Sequence, residues 1–283
     1  KEIVIENLES YDFSKAQITF FAAGSQIAKE WAPKAAKKTI VIDNSSYFRM
    51  QSDVPLVVPE VNAEALNKHN NIISNPNCST MQMVLALKPL HDEYKINRVV
   101  VSTYQAVSGA GKASMDELFE QTKNFLENKK INSKNFTKQI AFNLIPHIDV
   151  FDKDGYTKEE LKMTNETKKI LDNDIDVTAT CVRVPVRTGH SESINIEFDN
   201  FYDFENIIKI LSNAPGCKVI EEKKNGGYIT PLEAEGDYTT YISRIRKDNS
   251  NVKAINIWVV SDNLLKGAAL NTVQIAEQLV KKL

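Results

Sequence analysis

One cysteine, Cys78, stands in the stretch SNPNCSTMQM (residues 74–83), behind an Asn-Pro-Asn turn and ahead of an apolar run. Pro76 biases Asn75 away from the helical region, so a helix is expected to begin just after the turn with Cys78 in its first turn. A thiol there meets unpaired backbone N–H groups and the positive end of the helix dipole, which favour thiolate. The amide of Cys78 would also serve an oxyanion. The chemistry on offer is nucleophilic attack on acyl carbon. Taken alone, the stretch also fits a small packed residue after a turn, and both readings stay open.

A nucleophilic cysteine needs a base, commonly remote in sequence. His190 is the candidate, in the turn RTGHSE among Arg183, Arg187 and Ser191; an exposed turn histidine is the alternative. Strand alternation puts Arg183 and Arg187 on one face, where two guanidiniums clamp carboxylate or phosphate, or simply carry solvated charge. Glu166 and Lys169, three apart on a helical run, share a face, as many surface pairs do. Arg49, beyond the run TIVID, is an anion ligand or a loop residue. The segment SGAGK, with Ser108 and Gly109, offers close backbone approach to a ligand.

The elements that must position these residues alternate. QITFFAAGS reads as a buried strand ended by Gly24, QIAKEWAPKAAKK as a helix interrupted or kinked at Pro33, and TIVIDNSS as a second buried strand. Strands alternating with a helix suggest a parallel sheet of the nucleotide-binding kind, with ligands beyond the carboxyl ends of the strands. That places Ala23, Gly24, Ser25 and DNSSYFRM at a site. NIIS is a further strand and STMQMVLALKPLHDEY a helix. INRVVVSTYQ leads through a Gly-rich turn into the helix ASMDELFEQTKNFLENKK. Thr157 and Glu160 form a capping box ahead of the helix TKEELKMTNETKKILD. DVTATCVRVPV, SINIEF and AINIWVVSDN read as strands, LLKGAALNTVQIAEQLVKKL as a closing amphipathic helix, and the opening KEIVIENL as strand-like.

Composition bounds the rest. The chain has 283 residues, 42% hydrophobic and 25% charged, which fits a soluble globular protein of one large or two ordinary domains. A net charge of -2 asks for neither nucleic acid nor an anionic membrane. No apolar run is long enough to span a bilayer, and no signal peptide opens the chain. Three scattered cysteines argue against a disulfide framework and for a reducing cytoplasm. The four histidines show no metal-ligand spacing, so no metal is expected.

Taken together, FFAAGS, IDNSSYFRM, SNPNCST, STYQAVSGAGK, AFNLIPHID, KMTNETKKIL, CVRVPVRTGHSES, ISRIRKD and SDNLLKGAALNTVQIAE resemble the aspartate-semialdehyde dehydrogenase family in order and spacing, almost end to end. The resemblance implies an α/β fold: a Rossmann-like parallel-sheet dinucleotide-binding domain from residues 1–77 and 262–283, and an α+β catalytic and dimerisation domain from 78–261. It implies reductive dephosphorylation of aspartyl phosphate to aspartate semialdehyde with NADP, on the route to lysine, threonine, methionine and diaminopimelate, in a cytoplasmic homodimer. Cys78 then corresponds to the nucleophile, His190 to the acid/base and Gln105 to the residue orienting the reacting group. Arg183 corresponds to the substrate-carboxylate ligand, Glu166 to the partner of the substrate ammonium, and Arg49 and Lys169, beside Asn77, to the phosphate ligands. Ala23, Gly24, Ser25, Ser108, Gly109 and Asn263 correspond to the cofactor side. The family's opening strand and GATG-like glycine loop have no counterpart here, where the chain starts at Lys1. The expectation is of an N-terminally incomplete first domain that binds NADP weakly. Two alternatives accompany this reading, an N-acetyl-glutamyl-phosphate reductase and an inert homologue or fragment. Glu166 disfavours the first, because an acetylated amine carries no charge to pair.

Overall fold

The computed structural model describes residues 4–281 and contains two sheets. The first is parallel, in the order β1 (Ile18–Phe21), β2 (Ile40–Asp43), β3 (Ile72–Ser74). Helix α1 (Ser25–Ala35) connects β1 to β2 and carries Pro33 inside it. The short helix α2 (Pro59–Asn62) lies between β2 and β3. At the carboxyl end of β1, Gly24 turns the chain into α1 with φ +87°, a conformation that strains residues bearing a Cβ. The run KEIVIENL does not form the expected strand over its described part: Val4–Asn7 is irregular and a 3-10 turn follows at Leu8–Ser10, while Lys1, Glu2 and Ile3 lie outside the described residues.

Helix α3 (Cys78–Tyr94) leaves the end of β3 and runs under the second sheet. It is buried nearly all round from Ser79 to Leu87, so it reads as a core helix rather than a surface stripe. The second sheet follows the order β5-β4-β6-β9-β8-β7, built from β4 (Ile96–Gln105), β5 (Asp176–Arg183), β6 (His190–Phe198), β7 (Cys217–Ile220), β8 (Thr240–Lys247) and β9 (Ala254–Ser261). Parallel pairs lie at its two edges and antiparallel pairs in between. One face packs on α3, on α5 (Lys158–Ile170) and on α6 (Phe204–Ser212) through a core that includes Met83, Leu87, Met163, Ile194, Ile207 and Val259. Helices α4 (Lys112–Leu126) and α7 (Pro231–Ala234) lie in the connections. The closing helix starts with a π-helical turn, Leu265–Ala269, and continues as α8 (Leu270–Val280), whose Ile275 and Leu279 pack on Ile42 and Ile73 of the first sheet.

Strand β5 stops at Arg183 rather than running through VPV, since Pro185 has no N–H for a ladder. Arg187 therefore does not share a strand face with Arg183; it lies in the following turn and pairs with Glu235. The expected capping box is present: Thr157 Oγ1 accepts from the Glu160 amide, and Glu160 Oε2 accepts from the Thr157 amide at 2.7 Å. Glu160 Oε1 also accepts from the Cys181 amide at 3.1 Å, so the cap ties α5 to β5. Loss of an N-cap hydroxyl costs about 1 kcal/mol. Thr157→Ala is expected to lower the midpoint of thermal unfolding by about 2 °C; an unchanged midpoint by calorimetry would show that the cap does not hold α5.

Candidate active site

Several elements meet at a cavity of about 490 Å3: the start of α3, the carboxyl ends of β4 and β5, the first turns of α5, and the π-helical turn before α8. Asn77 is the N-cap of α3. Its Oδ1 accepts from the amides of Ser79 at 2.9 Å and Thr80 at 3.3 Å, which fixes Cys78 as the first helical residue. Gly267 comes so close that a Cβ on it would lie 2.9 Å from the Cys78 Cβ, so the π-helical turn closes on the thiol. Such turns are frequent at functional sites.

Sheet register brings in the next group. Arg183 pairs with Gln105 across β5 and β4, and His190 opens β6. Gln105 is held at both ends of its amide: Oε1 accepts from Thr103 Oγ1 at 3.0 Å and Nε2 donates to Glu159 Oε1 at 3.0 Å. Arg183 NH1 donates to the Ala106 carbonyl at 2.7 Å. The Ala106 amide donates to His190 Nδ1 at 3.0 Å, so a neutral His190 carries its proton on Nε2, which has no partner. Gly109 lines the cavity, and a Cβ there would meet both Arg183 NH1 and His190 Nε2 at 3.0 Å. Glycine at that position leaves room for these two side chains.

The carboxylate of the site is Glu159, which the sequence reading did not single out. It lines the cavity and accepts from Gln105, from Asn77 Nδ2 at 2.9 Å and from Lys162 Nζ at 3.1 Å. Burial acts to raise its pKa, but Lys162 and the two amide donors outweigh it and hold the carboxyl below its ordinary range. Lys162, in turn paired with Asp149 at 2.9 Å, lines the same cavity, as does Arg49.

Glu166 and Lys169, expected as ligands, do not line the cavity. Glu166 is buried, accepting from the Asn77 amide at 2.6 Å and from Arg49 NH1 at 3.0 Å. Lys169 Nζ donates to the carbonyls of Arg49, Gln51 and Val54 at 2.6, 2.7 and 2.8 Å. Both therefore brace the groups at the cavity wall from behind. The structure does gather Cys78, Asn77, Gln105, Arg183, Arg49, Ser108, Gly109 and Asn263 around one cavity, with His190 against Gly109. Ser108 and Asn263 hydrogen-bond each other, and Asn263 Oδ1 also accepts from the Gly189 amide at 2.8 Å.

Ala23, Gly24 and Ser25 lie outside that cavity, beyond the carboxyl end of β1; Ser25 Oγ is 3.2 Å from Ser46 Oγ at its rim. Beside them an apolar hollow of about 350 Å3, lined by Phe20, Ala22, Ala269 and Val273, shares Asn44 and Ala268 with the main cavity. The two adjoin at Asn44 and Ala268 near the carboxyl ends of the first sheet, the place where such sheets take dinucleotides.

The resting charges differ from the sequence expectation in one respect. Burial pushes the Cys78 thiol up to about 12; Glu159 adds to the rise, and Arg183 and Arg49 offset only part of it. The helix start does not by itself make a thiolate. Burial, followed by Arg183, holds His190 down to about 3, so the imidazole is neutral across the physiological range. Below a thiol pKa the thiolate fraction rises about tenfold per pH unit. Alkylation of Cys78 by iodoacetamide in the unliganded protein is expected to keep accelerating from pH 7 to pH 10, roughly as that fraction. A rate that levels off near pH 8 would show a thiol poised as a thiolate at rest.

The family model described as semialdehyde dehydrogenase, NAD binding domain matches residues 1–69, and the one described as semialdehyde dehydrogenase, dimerisation domain matches residues 87–266. The chain is 53% identical to the aspartate-semialdehyde dehydrogenase of Aquifex aeolicus, over 100% of this chain and 85% of that protein. It is 48% identical to that of Bacillus subtilis, over 99% and 84%. A crystal structure of aspartate semialdehyde dehydrogenase II from Vibrio cholerae, complexed with ASA, superposes with a TM-score of 0.95 at 47% identity, over 98% of this chain and 83% of that one. With a dinucleotide-binding parallel sheet, a mixed second sheet and matches of this extent, the chain belongs to the aspartate-semialdehyde dehydrogenase family of oxidoreductases.

Proposed function

We propose that the protein converts aspartyl phosphate to aspartate semialdehyde through a thioester on Cys78, with NADP as hydride source. The observation that carries this reading is the charge pattern around one thiol. Two carboxylates, Glu159 and Asp149, the second paired with Lys162 at 2.9 Å, and three cations, Arg183, Arg49 and Lys162, line the same cavity as Cys78. An α-amino acid bearing an acyl phosphate presents the complement: one ammonium, one carboxylate and one phosphate.

Arg183 takes the substrate carboxylate and Glu159 its ammonium, which sets the acyl carbon over Cys78. Arg49 and Lys162 take the phosphate. Glu159 thus has the part that the sequence assigned to Glu166, and Lys162 the part assigned to Lys169. The Cys78 sulfur attacks the acyl carbon, its proton passes to the departing phosphate, phosphate leaves toward the two cations, and the acyl group remains on sulfur. Generation of the thiolate is coupled to substrate binding, because the resting thiol is protonated. The nicotinamide, when bound, supplies hydride to the thioester carbon. The Nε2–H of neutral His190 hydrogen-bonds the oxygen that carries negative charge after hydride addition; that charge re-forms the carbonyl as the carbon–sulfur bond breaks, and the Cys78 sulfur leaves as thiolate and takes a proton from solvent. Gln105, held from both sides, orients the carbonyl. Ala23, Gly24, Ser25, Ser108, Gly109 and Asn263 lie along the cleft that would hold the dinucleotide.

The preference for NADP draws support from a structural neighbour, the aspartate semialdehyde dehydrogenase with NADP from Candida albicans, at a TM-score of 0.72 and 25% identity. Domain limits of 1–77 with 262–283, and 78–261, draw support from the chain passing out of β3, which ends at Ser74, into α3, and coming back to the first sheet through α8 after β9. A homodimer through the second sheet is supported by its outer face, where Tyr104, Ser193 and Trp258 are only half-buried, and by the dimerisation-domain match. Supply of an aspartate-derived aldehyde to lysine, threonine, methionine and diaminopimelate belongs to the same reading, in the cytoplasm. Among the described residues no helix is long and apolar enough to cross a membrane.

The test is turnover of the full-length protein in the oxidative direction with aspartate semialdehyde, phosphate and NADP, and with the acetylated glutamate semialdehyde as competitor. A charge-assisted hydrogen bond is worth about 1.5–3 kcal/mol, or roughly tenfold to a hundredfold. Glu159→Gln is expected to raise KM for the semialdehyde by that factor, and Arg49→Leu to raise KM for phosphate instead. Equal use of the acetylated substrate, or indifference to Glu159→Gln, would sink the ammonium assignment.

A further inference from the structure

Behind the row that holds Arg183, Gln105 and His190 lies a second row that the reaction scheme does not use. In it Cys181, Thr103 and Glu192 stand in register on β5, β4 and β6. Glu192 is 0% exposed, and its register neighbours are Thr103 and Val259, neither of them a cation. Above it α3 packs on β6 and presents Gln82, four residues after Cys78 and so one turn along the same helix face. Gln82 is 1% exposed. Both atoms of its amide and both Glu192 carboxyl oxygens complete no hydrogen bond.

Two orphaned buried side chains that face each other are informative through their donors and acceptors. A carboxylate offers acceptors alone, which leaves the Gln82 carbonyl without a donor. A carboxylic acid offers one O–H donor and one carbonyl acceptor, the complement of a carboxamide. A buried carboxylate with no cation beside it is also strongly unfavourable.

We propose that Glu192 is a positioning residue that works as an un-ionised carboxylic acid, pairing with the Gln82 carboxamide and so locking the first turns of α3, which carry Cys78, against the strand that carries His190. The proposal rests on the reading of Cys78 and His190 as the reacting pair. Burial, opposed only weakly by the Gln82 amide, pushes the Glu192 carboxyl well above the usual carboxylate range. The other titratable groups on this face are the Cys181 thiol on β5, the Cys78 thiol on α3 and the His190 imidazole on Glu192's own strand, all three uncharged at neutral pH, together with the Arg183 guanidinium one row forward on β5 and the Glu159 and Glu160 carboxyls on α5, which bond Gln105 and the Cys181 amide rather than Glu192. A folded-state pKa above the unfolded value of about 4.3 makes the native state the tighter proton binder. The stability this contributes is full below that pH and is lost as pH rises toward the folded value. A glutamine in its place cannot ionise and escapes the loss.

The experiment uses the full chain in three measurements. Infrared spectra of protein carrying 13C-carboxyl glutamate, taken at neutral pH, are expected to show an un-ionised carboxylic acid band in the wild type that Glu192→Gln lacks. The thermal midpoint of Glu192→Gln is expected to fall less steeply than that of the wild type between pH 5 and pH 9. Glu192→Leu is expected to lower kcat roughly tenfold with KM little moved, and to change the Cys78 alkylation rate, whereas Glu192→Gln, which keeps a pairing amide, recovers both. A wild type without the band overturns the proposal, as does a folded Glu192→Gln as damaged as Glu192→Leu, since an ionised carboxylate would then be needed. If Glu192→Gln fails to fold, the wild-type band decides. Absence of wild-type turnover on aspartate semialdehyde would defeat the assigned reaction and leave the infrared and thermal results to judge Glu192.

Discussion

The site is organised around one buried anion. Glu159 is almost fully enclosed, and a carboxylate in that position must be paired and hydrogen-bonded or it neutralises. Its three donors come from three separate elements: Asn77 at the start of α3, Gln105 at the end of β4 and Lys162 on α5. Each donor has a further commitment. Asn77 caps the helix that begins with Cys78, Gln105 is fixed by Thr103, and Lys162 is shared with Asp149. Satisfying one charge therefore sets the helix start, the sheet end and the α5 register together. The cavity left between them has the polarity of a zwitterionic ligand.

A second anion, Glu166, does comparable work one layer back. Seven residues after Glu159, it lies two turns along the same face of α5 and holds the Asn77 amide and Arg49. This explains where the sequence was legible and where it was not. The pattern Glu-x-x-Lys occurs twice in the helix, at Glu159 with Lys162 and at Glu166 with Lys169, and a spacing of seven puts both pairs on one face. Periodicity cannot separate them; only the distance along the helix axis from the start of α3 does, and that is a tertiary fact. Cys78 and Arg183 were legible from the residues themselves, the one at a helix start behind an Asn-Pro turn and the other on an alternating strand, whereas Asn77 and Gln105 entered only through the family resemblance. The first sheet and its connecting helix were legible because the chain signals their ends by proline, glycine or a break in alternation. Strands β7 and β8 were not read out as elements, because Lys218, Arg244, Arg246 and Lys247 dilute their alternation and a bulge falls between Ser243 and Arg246.

The resting state of the thiol was the other point hidden from the sequence. A helix start favours thiolate, but burial opposes it, and Glu159 adds a like-charge penalty. The enclosure that orients Cys78 beside Gly267 is thus the same enclosure that keeps it protonated. A protonated thiol is a poor nucleophile, so its reactivity depends on what the ligand brings. On the proposed reading, a substrate phosphate on Arg49 and Lys162 and a carboxylate on Arg183 would complete the charge balance around the thiol. His190 suits a neutral role here, since the Ala106 amide fixes its tautomer and leaves Nε2–H as the working end.

The account turns on a covalent bond to one sulfur. The most direct measurement is rapid acid quench of the full-length protein mixed with aspartate semialdehyde and NADP in the absence of phosphate, followed by peptide mass analysis. The account predicts an aspartyl increment on the peptide that contains Cys78, formed as fast as the first turnover and discharged when phosphate is added. An unmodified Cys78 through a complete turnover, or an increment on Cys181 or Cys217 instead, would contradict it.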